Sequence, residues 1–152
     1  MKEQVTIVKT TSENPDFLKL IKALDDSLWG TYPELKADYW GNNKIEFNPN
    51  VVLVYYNDKA VACCCFKKYN QNTIEIKRMF VDQVMRGKGI AKQMLQELQS
   101  WAKDLGYSIS VLETLHKQTA AIGMYQKVGY SIVENYPPYE GLANSICMRK
   151  NI

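Results

Sequence analysis

The sequence predicts a mixed α/β fold: one undivided domain over residues 1–152, with a central β-sheet of about seven strands flanked by four helices. Strand-like and helix-like spacings of apolar residues follow one another along the chain, and three strands come in quick succession. One strand then leads through a long helix into another strand, which is a crossover and makes those two strands parallel. Tight turns join the other neighbours and favour antiparallel pairs, so the sheet should be mixed.

The first third of the chain predicts a strand, a helix and a less regular stretch. Residues 4–9 alternate between apolar and polar as a half-buried strand does. Asn14-Pro15 is a typical helix start, and apolar residues then recur at helical spacing. These residues are Phe17, Leu18, Ile21, Leu24 and Leu28. Residues 29–50 mix aromatic residues with helix breakers, which predicts a short helix flanked by loops.

The rest of the chain predicts six strands and two helices. Strands are expected over residues 51–56, 60–68, 73–81 and 108–113, with closing strands over 130–134 and 145–149. The first three are joined by turns and form an antiparallel meander. A long helix over 88–105 has one apolar face and Gly106 at its expected end, and a second helix over 118–128 is ended by Gly129.

Composition excludes several classes of protein. The net charge is +3, from 19 basic and 16 acidic side chains, which is too balanced for a dedicated nucleic-acid-binding protein. The start of the chain lacks the apolar core of a signal peptide, and no uncharged stretch approaches the roughly 20 residues that span a bilayer. We therefore expect no nucleic-acid or membrane partner and a cytoplasmic location.

The cysteines do not predict a metal site. Cys63, Cys64 and Cys65 are consecutive and Cys147 is distant, which matches neither zinc-ligand spacing nor a secreted disulfide framework. Neighbouring strand residues point to opposite faces, so three adjacent cysteines cannot converge on one ion. Buried, reduced thiols and no metal are expected.

A glycine-rich segment precedes the long helix and is typical of an anion site. It reads Arg86, Gly87, Lys88, Gly89, Ile90, Ala91. The first N–H groups of a helix lack partners, the helix dipole adds positive charge, and glycine lets a phosphate approach the backbone. The P-loop pattern is absent, and Lys92 stands where a dinucleotide fingerprint needs its third glycine.

Two motifs in this order resemble the GNAT acetyltransferase superfamily. Residues 86–91 match its R-x-x-G-x-A pattern, and residues 124–130, M-Y-Q-K-V-G-Y, resemble its Y-x-K-x-G-[FY] signature. The predicted order of elements is also similar to the GNAT fold, so the resemblance covers nearly the whole chain and is weakest over 29–50. It implies a parallel strand pair that splays apart at the cofactor cleft.

The resemblance implies acetyl-CoA as co-substrate and a set of residues that contact it. These are Met79, Phe80, Val81, Arg86, Gly87, Lys88, Gly89, Ile90, Ala91, Lys92, Gln118 and Tyr125. Backbone N–H groups of Met79 and Val81 would pair with the thioester and pantetheine like an extra strand. Gln118 departs from the family pattern, which often has asparagine there.

Acetyl transfer to an amine needs a base for the amine and a proton for the departing thiolate. By resemblance, Glu75 on the fourth strand and Glu113 at the end of the fifth are rival candidates for the base. Either carboxylate could instead form a structural salt bridge with Lys77 or Arg78. Tyr125 is the expected general acid, with core packing as the alternative role.

The implied reaction is direct acetyl transfer to a primary amine of a small molecule or of a protein or peptide. Trp29, Tyr32 and Tyr139 lie in aromatic segments that would border the acceptor, or pack against each other or a second subunit. Dimers are common in the resembled family, so a homodimer is one expected state. The alternative from another class is a non-catalytic acyl-CoA-binding module of the same fold.

Overall fold

The computed structural model of the chain describes residues 4–35 and 47–152. In order, its elements are β1 (Val5–Thr10), α1 (Pro15–Thr31), β2 (Val51–Tyr56), β3 (Lys59–Asn70), β4 (Thr73–Val81), α2 (Ile90–Asp104), β5 (Ile109–Leu115), α3 (Thr119–Lys127), β6 (Ser131–Val133) and β7 (Ser145–Asn151). Two short 3-10 helices cover Pro33–Leu35 and Gln83–Met85. The described residues thus hold three α-helices where four were predicted, and much of the expected short helix region, 36–46, lies outside them.

The seven strands form one mixed sheet, as predicted, and their order in it is β1-β2-β3-β4-β5-β7-β6. Strands β4 and β5 are the parallel pair that the crossover through α2 requires. Their ladder joins Thr73 to Ile109 and ends at the pair of Glu75 with Val111. Since β4 continues to Val81, its second half runs beyond this ladder.

The chain divides into two compact units. Unit 1 comprises Met1–Cys65 and Arg78–Met94, and unit 2 comprises Phe66–Lys77 and Leu95–Ile152. Strands β3 and β4 and helix α2 each contribute residues to both units.

The core of unit 1 lies between α1 and the strands. Helix α1 starts where the sequence predicts, because the Asn14 side chain accepts a hydrogen bond from the Asp16 N–H (2.9 Å) and Pro15 suits the first turn. The helix then buries apolar side chains at helical spacing against alternating strand positions. The cluster contains Phe17, Leu20, Ile21, Val51, Leu53, Cys63 and Cys65. Cys63 and Cys65 share this cluster and Cys64 does not, as strand alternation requires.

The core of unit 2 contains stacked aromatic rings. Phe66 of β3 meets Trp101 of α2 edge to face at 5.6 Å and Tyr107 at 6.4 Å. Tyr130 follows α3 in the chain, and its hydroxyl oxygen lies 2.7 Å from the Ser110 hydroxyl oxygen of β5. These contacts fix the second half of α2 and the end of α3 within this unit.

Candidate active site

The glycine-rich segment forms an exposed turn ahead of α2 in unit 1. Asp82 starts it by accepting a hydrogen bond from the Val84 N–H at 3.2 Å, and a 3-10 turn follows. The Arg86 Nε donates to the Val81 carbonyl at 3.1 Å, which ties the segment back to the end of β4. The turn therefore has a defined course between strand and helix.

The turn requires glycine at positions 87 and 89 because of the backbone conformation there. Their φ angles are 80° and 78°, in the region that L side chains rarely adopt, whereas a Cβ on either would meet no atom within 4 Å. Helix α2 begins directly after them at Ile90, and Arg86 and Lys88 beside them are exposed. Positive-φ glycines at a helix start, flanked by cations, are suited to hold a phosphate.

The other residues predicted to contact a cofactor in unit 1 differ in exposure. Lys92 is exposed on the first turn of α2, and Ala91 is half-buried. Met79 and Val81 are half-buried at the end of β4, whereas the Phe80 side chain packs against the core of unit 1. The Phe80 side chain therefore contributes to the core of unit 1.

Unit 2 contains a group of charged and phenolic side chains, which we call the carboxylate cluster: Glu75, Lys77, Glu113, Tyr136 and Tyr139. At its centre Glu75 is only 2% exposed. One carboxylate oxygen accepts from the Tyr136 hydroxyl at 2.7 Å, and the other lies 3.5 Å from the Lys77 ammonium. The salt bridge considered for Glu75 and Lys77 is therefore present.

Lys77 is the cation of the carboxylate cluster. Its Nζ donates to the Tyr139 hydroxyl and lies 5.2 Å from the centre of that ring. Burial lowers the pKa of Lys77, while the negative charges of Glu75 and Glu113 act in the opposite direction. A second cation, Lys67, lies 3.8 Å from Glu75 and is 57% exposed, so its attraction is screened by water.

Glu113 has a different environment from Glu75. It is half-buried on β5, and the Ser145 hydroxyl donates to one of its oxygens at 2.7 Å. Burial raises the pKa of Glu113; the Ser145 hydrogen bond and the charge of Lys77 oppose this, and the charge of Glu75 adds to it. A carboxylate with a raised pKa is a common feature of functional sites.

Residues 135–139, which we call the aromatic segment, contribute Tyr136 and Tyr139 to the carboxylate cluster. Tyr136 stacks edge to face between Tyr69 (5.0 Å) and Tyr139 (5.5 Å). The Asn135 amide donates to the Tyr139 carbonyl at 3.2 Å and closes the loop. Burial, followed by the charge of Glu75, raises the pKa of Tyr136 and of Tyr139, so both phenols stay protonated at neutral pH. The sequence analysis named Tyr139 as a candidate site residue. The contacts of Tyr136 with Glu75 and of Asn135 with Tyr139 could be identified only from the structure.

Tyr125 and Gln118 lie on and beside α3 in unit 2. Tyr125 is buried, and its ring meets Tyr130 edge to face at 5.8 Å. The packing role considered for it is thus present. Gln118 occupies the N-cap position without a capping hydrogen bond from its side chain.

Trp29 and Tyr32 lie at the end of α1 in unit 1. Tyr32 is buried and caps the helix by donating its N–H to the Leu28 carbonyl at 2.7 Å. The Trp29 Nε1 atom is buried and has no hydrogen-bond partner among residues 4–35 and 47–152.

No group of three or more His, Cys, Asp or Glu side chains in the described part of the chain could hold a metal ion. Over the same residues, no helix has the length and apolar character needed to cross a membrane. The described residues combine a turn of positive-φ glycines at a helix start with a buried carboxylate cluster, on a mixed β-sheet. They define a mixed α/β protein with a turn suited to hold a phosphate.

The chain belongs to the acetyltransferase (GNAT) family, whose model matches residues 20–130. It is 37% identical over 60 residues to human N-acetyltransferase 8B, a match that covers 40% of this chain and 26% of that protein. It is 26% identical over 149 residues to the IAA acetyltransferase of Azospirillum brasilense, covering 96% of this chain and 97% of the relative.

Solved structures share the fold over almost the full length. A proposed acyl-CoA N-acyltransferase from Klebsiella pneumoniae superposes with a TM-score of 0.81 at 25% identity, covering 97% of each chain. A GNAT acetyltransferase from Elizabethkingia anophelis with acetyl-CoA bound gives a TM-score of 0.70 at 24% identity, over 99% of this chain and 100% of that one. The predicted GNAT fold is confirmed.

Proposed function

We propose that this protein is an acetyl-CoA-dependent N-acetyltransferase that moves an acetyl group directly to a primary amine of a small molecule, protein or peptide. Residues 1–152 would act as one catalytic domain. The observation that carries the proposal is the turn at residues 86–91, with two positive-φ glycines opening α2, in a chain of this family. The acetyl-CoA bound by the Elizabethkingia protein supports the choice of co-substrate.

The turn and the first turn of α2 would hold the pyrophosphate. The N–H groups from Gly87 to Lys92 supply donors, and the exposed Arg86 and Lys88 side chains supply positive charge. The backbone of Met79–Val81 would pair with the pantetheine, and Gln118 would contact the cofactor from the start of α3. When bound, acetyl-CoA supplies the acetyl group as an activated thioester.

We assign the general base to Glu113. It would take the proton that the amine nitrogen releases as the C–N bond forms and the C–S bond breaks. Burial raises the pKa of Glu113 toward the working pH, which suits a general base. Glu75 is engaged by Tyr136 and Lys77 and is almost fully buried, so we assign it the role of holding the aromatic segment in place.

Tyr125 would return a proton to the departing thiolate, because a phenol remains protonated at neutral pH. Trp29, Tyr32 and Tyr139 are the proposed contacts of the acceptor. A homodimer and a cytoplasmic location remain predictions.

Thiol release from acetyl-CoA tests the proposal, measured against amines, polyamines, amino acids, and peptides with free lysine or amino-terminal groups. The variants are Glu113→Gln, Glu75→Gln and Tyr125→Phe. Glu97→Gln, on an exposed part of α2, is the matched carboxylate control. We expect turnover with at least one amine and its loss in Glu113→Gln and Tyr125→Phe. Binding of acetyl-CoA without turnover would favour the non-catalytic module, and loss of turnover only in Glu75→Gln would move the base to Glu75.

A further inference from the structure

We propose that an ion pair between Asp25 of α1 and Arg78 of β4 holds a strained strand residue in the conformation that presents the following amides to acetyl-CoA. Both would be positioning residues. The inference rests on the proposed function, because that function assigns the backbone of Met79–Val81 to the cofactor. All of these residues belong to unit 1.

Arg78 has an unusual backbone conformation for its residue type. Its φ is 58°, inside a strand where extended conformations are the rule. A left-handed residue within a strand produces a local bulge, and glycine is the residue that adopts this conformation without steric cost. The chain has arginine here, so we infer that the arginine side chain contributes something that glycine could not.

The guanidinium of Arg78 is held by a carboxylate from a different element. Its Nη1 lies 2.8 Å from Asp25 Oδ1, and the two side chains are 10% and 21% exposed, so water screens the pair little. The Arg78 carbonyl is also engaged, because it accepts a hydrogen bond from the Cys63 thiol of β3 at 3.4 Å. Side chain and backbone of this one residue are therefore fixed from two sides.

The conformation of Arg78 sets the direction of the amides that follow it. A left-handed φ interrupts the regular alternation of peptide groups along a strand. Met79 comes next, and the Phe80 side chain is anchored in the core of unit 1. While Arg78 is also held, the peptides between these two anchors have little freedom to reorient. Loss of the ion pair would let Arg78 relax toward an extended conformation and turn the Met79 N–H away from its proposed ligand.

The test compares Asp25→Asn and Arg78→Gly with Asp26→Asn. Asp26 is the adjacent helix residue with the same charge, is 71% exposed, and pairs with the exposed Lys22. Arg78→Lys keeps the positive charge and serves as the conservative variant. Hydrogen–deuterium exchange of the peptide covering residues 76–84 is measured without ligand, and acetyl-CoA turnover is measured with the best amine.

We expect faster exchange at residues 79–81 in Asp25→Asn and Arg78→Gly, and a fall of about tenfold in kcat, since small misplacements of binding groups are costly. The KM for the amine should not change, and Arg78→Lys should recover part of the rate. Asp26→Asn should match the wild type in both measurements.

Exchange rates equal to those of Asp26→Asn would overturn the proposal. Faster exchange with unchanged kcat and unchanged KM for acetyl-CoA would also overturn it, because the ion pair would then only stabilise the fold. If the wild type neither binds nor consumes acetyl-CoA, the proposed function fails instead, and the exchange measurement still decides whether the ion pair holds the strand.

Discussion

Glu113 is a carboxylate whose surroundings favour its neutral form. Burial raises the pKa of Glu113, and the hydrogen bond from Ser145 only partly offsets this. A group whose pKa is higher in the folded than in the unfolded state stabilises the fold when it is protonated. That stabilisation is complete below the unfolded pKa and is lost as the pH rises through the folded pKa. Ionisation of Glu113 in the folded protein therefore lowers the free energy of unfolding.

We predict that Glu113→Gln separates stability from activity. At pH 7 its Tm should equal or exceed that of the wild type, because glutamine keeps an oxygen for Ser145 and removes a buried charge. Its kcat should fall about 100-fold if Glu113 is the general base. Thermal denaturation between pH 4 and 7 should show that the Tm of Glu113→Gln rises relative to that of the wild type as the pH increases. A lower Tm at pH 7, or an unchanged kcat, would contradict the prediction.

Tyr136 is expected to stabilise the protein through its hydroxyl group. Tyr136→Phe removes the donor to a carboxylate that is 2% exposed, so unfolding free energy should fall by about 1.5–3 kcal/mol. Tyr69→Phe is the matched control, because its hydroxyl makes an exposed hydrogen bond to Pro137 and its loss should cost less than about 0.5 kcal/mol. Urea denaturation measures both. Equal effects would show that Glu75 does not depend on Tyr136.

At this scale the sequence predicted contacts along one strand and missed those between distant segments. Glu75 and Lys77 are two residues apart and share a face of β4, so their salt bridge was one of the two roles considered for Glu75. Tyr136 is 61 residues from Glu75, and Asp25 is 53 from Arg78. Neither pair leaves a periodic signal, because only the packed fold brings such residues together.

Among the elements, the bounds of β2 and β4 agree with the sequence because turn residues flank them. Asn57 and Asp58, between β2 and β3, have φ angles of 48° and 70°, as a tight hairpin turn requires. Helix α2 begins two residues later than predicted, since Gly89 has a positive φ and cannot be helical. Strand β3 extends two residues beyond its predicted end, through Tyr69 and Asn70, because its pairing with β4 continues to the turn.

Alanine substitutions at Gly89, just before α2, and at Gly123, inside α3, should change the unfolding free energy in opposite directions. Gly89→Ala should lower the unfolding free energy by about 1 kcal/mol, because φ is 78° and a side chain is strained there. Gly123→Ala, inside α3 with no atom within 4 Å of the added carbon, should raise it by about 0.5–1 kcal/mol. Chemical denaturation measures both changes.

Coenzyme A affinity distinguishes the same two variants. Titration calorimetry should show weaker binding in Gly89→Ala and wild-type affinity in Gly123→Ala, because only Gly89 lies in the proposed phosphate turn. Unchanged affinity in Gly89→Ala would argue against that turn as the phosphate site.

Over the whole molecule, the sequence predicted the strand and helix order and the parallel pair. These follow from local periodicity and from the rule that a crossover helix joins parallel strands. The site could be predicted only where it is local in sequence, as in the turn at 86–91. The carboxylate cluster joins β4, β5 and the segment before β7, and its composition depends on how these pack.

The four cysteines allow a measurement on the molecule as a whole. All four are buried and reduced. Burial raises the pKa of the Cys63 and Cys64 thiols. It raises the pKa of the Cys147 thiol to about 11. Thiols of this kind react only after the protein opens. We predict that the native protein shows no fast reaction with DTNB, a disulfide reagent for thiols, and that four equivalents react in urea.

Leu105→Cys provides the positive control, because position 105 is 55% exposed and should react at once with one equivalent. A fast equivalent in the native wild type would show that one of the buried strand thiols is accessible. If the prediction holds, the same reagent can follow release of coenzyme A without a background from the protein, because every fast-reacting thiol would then be product.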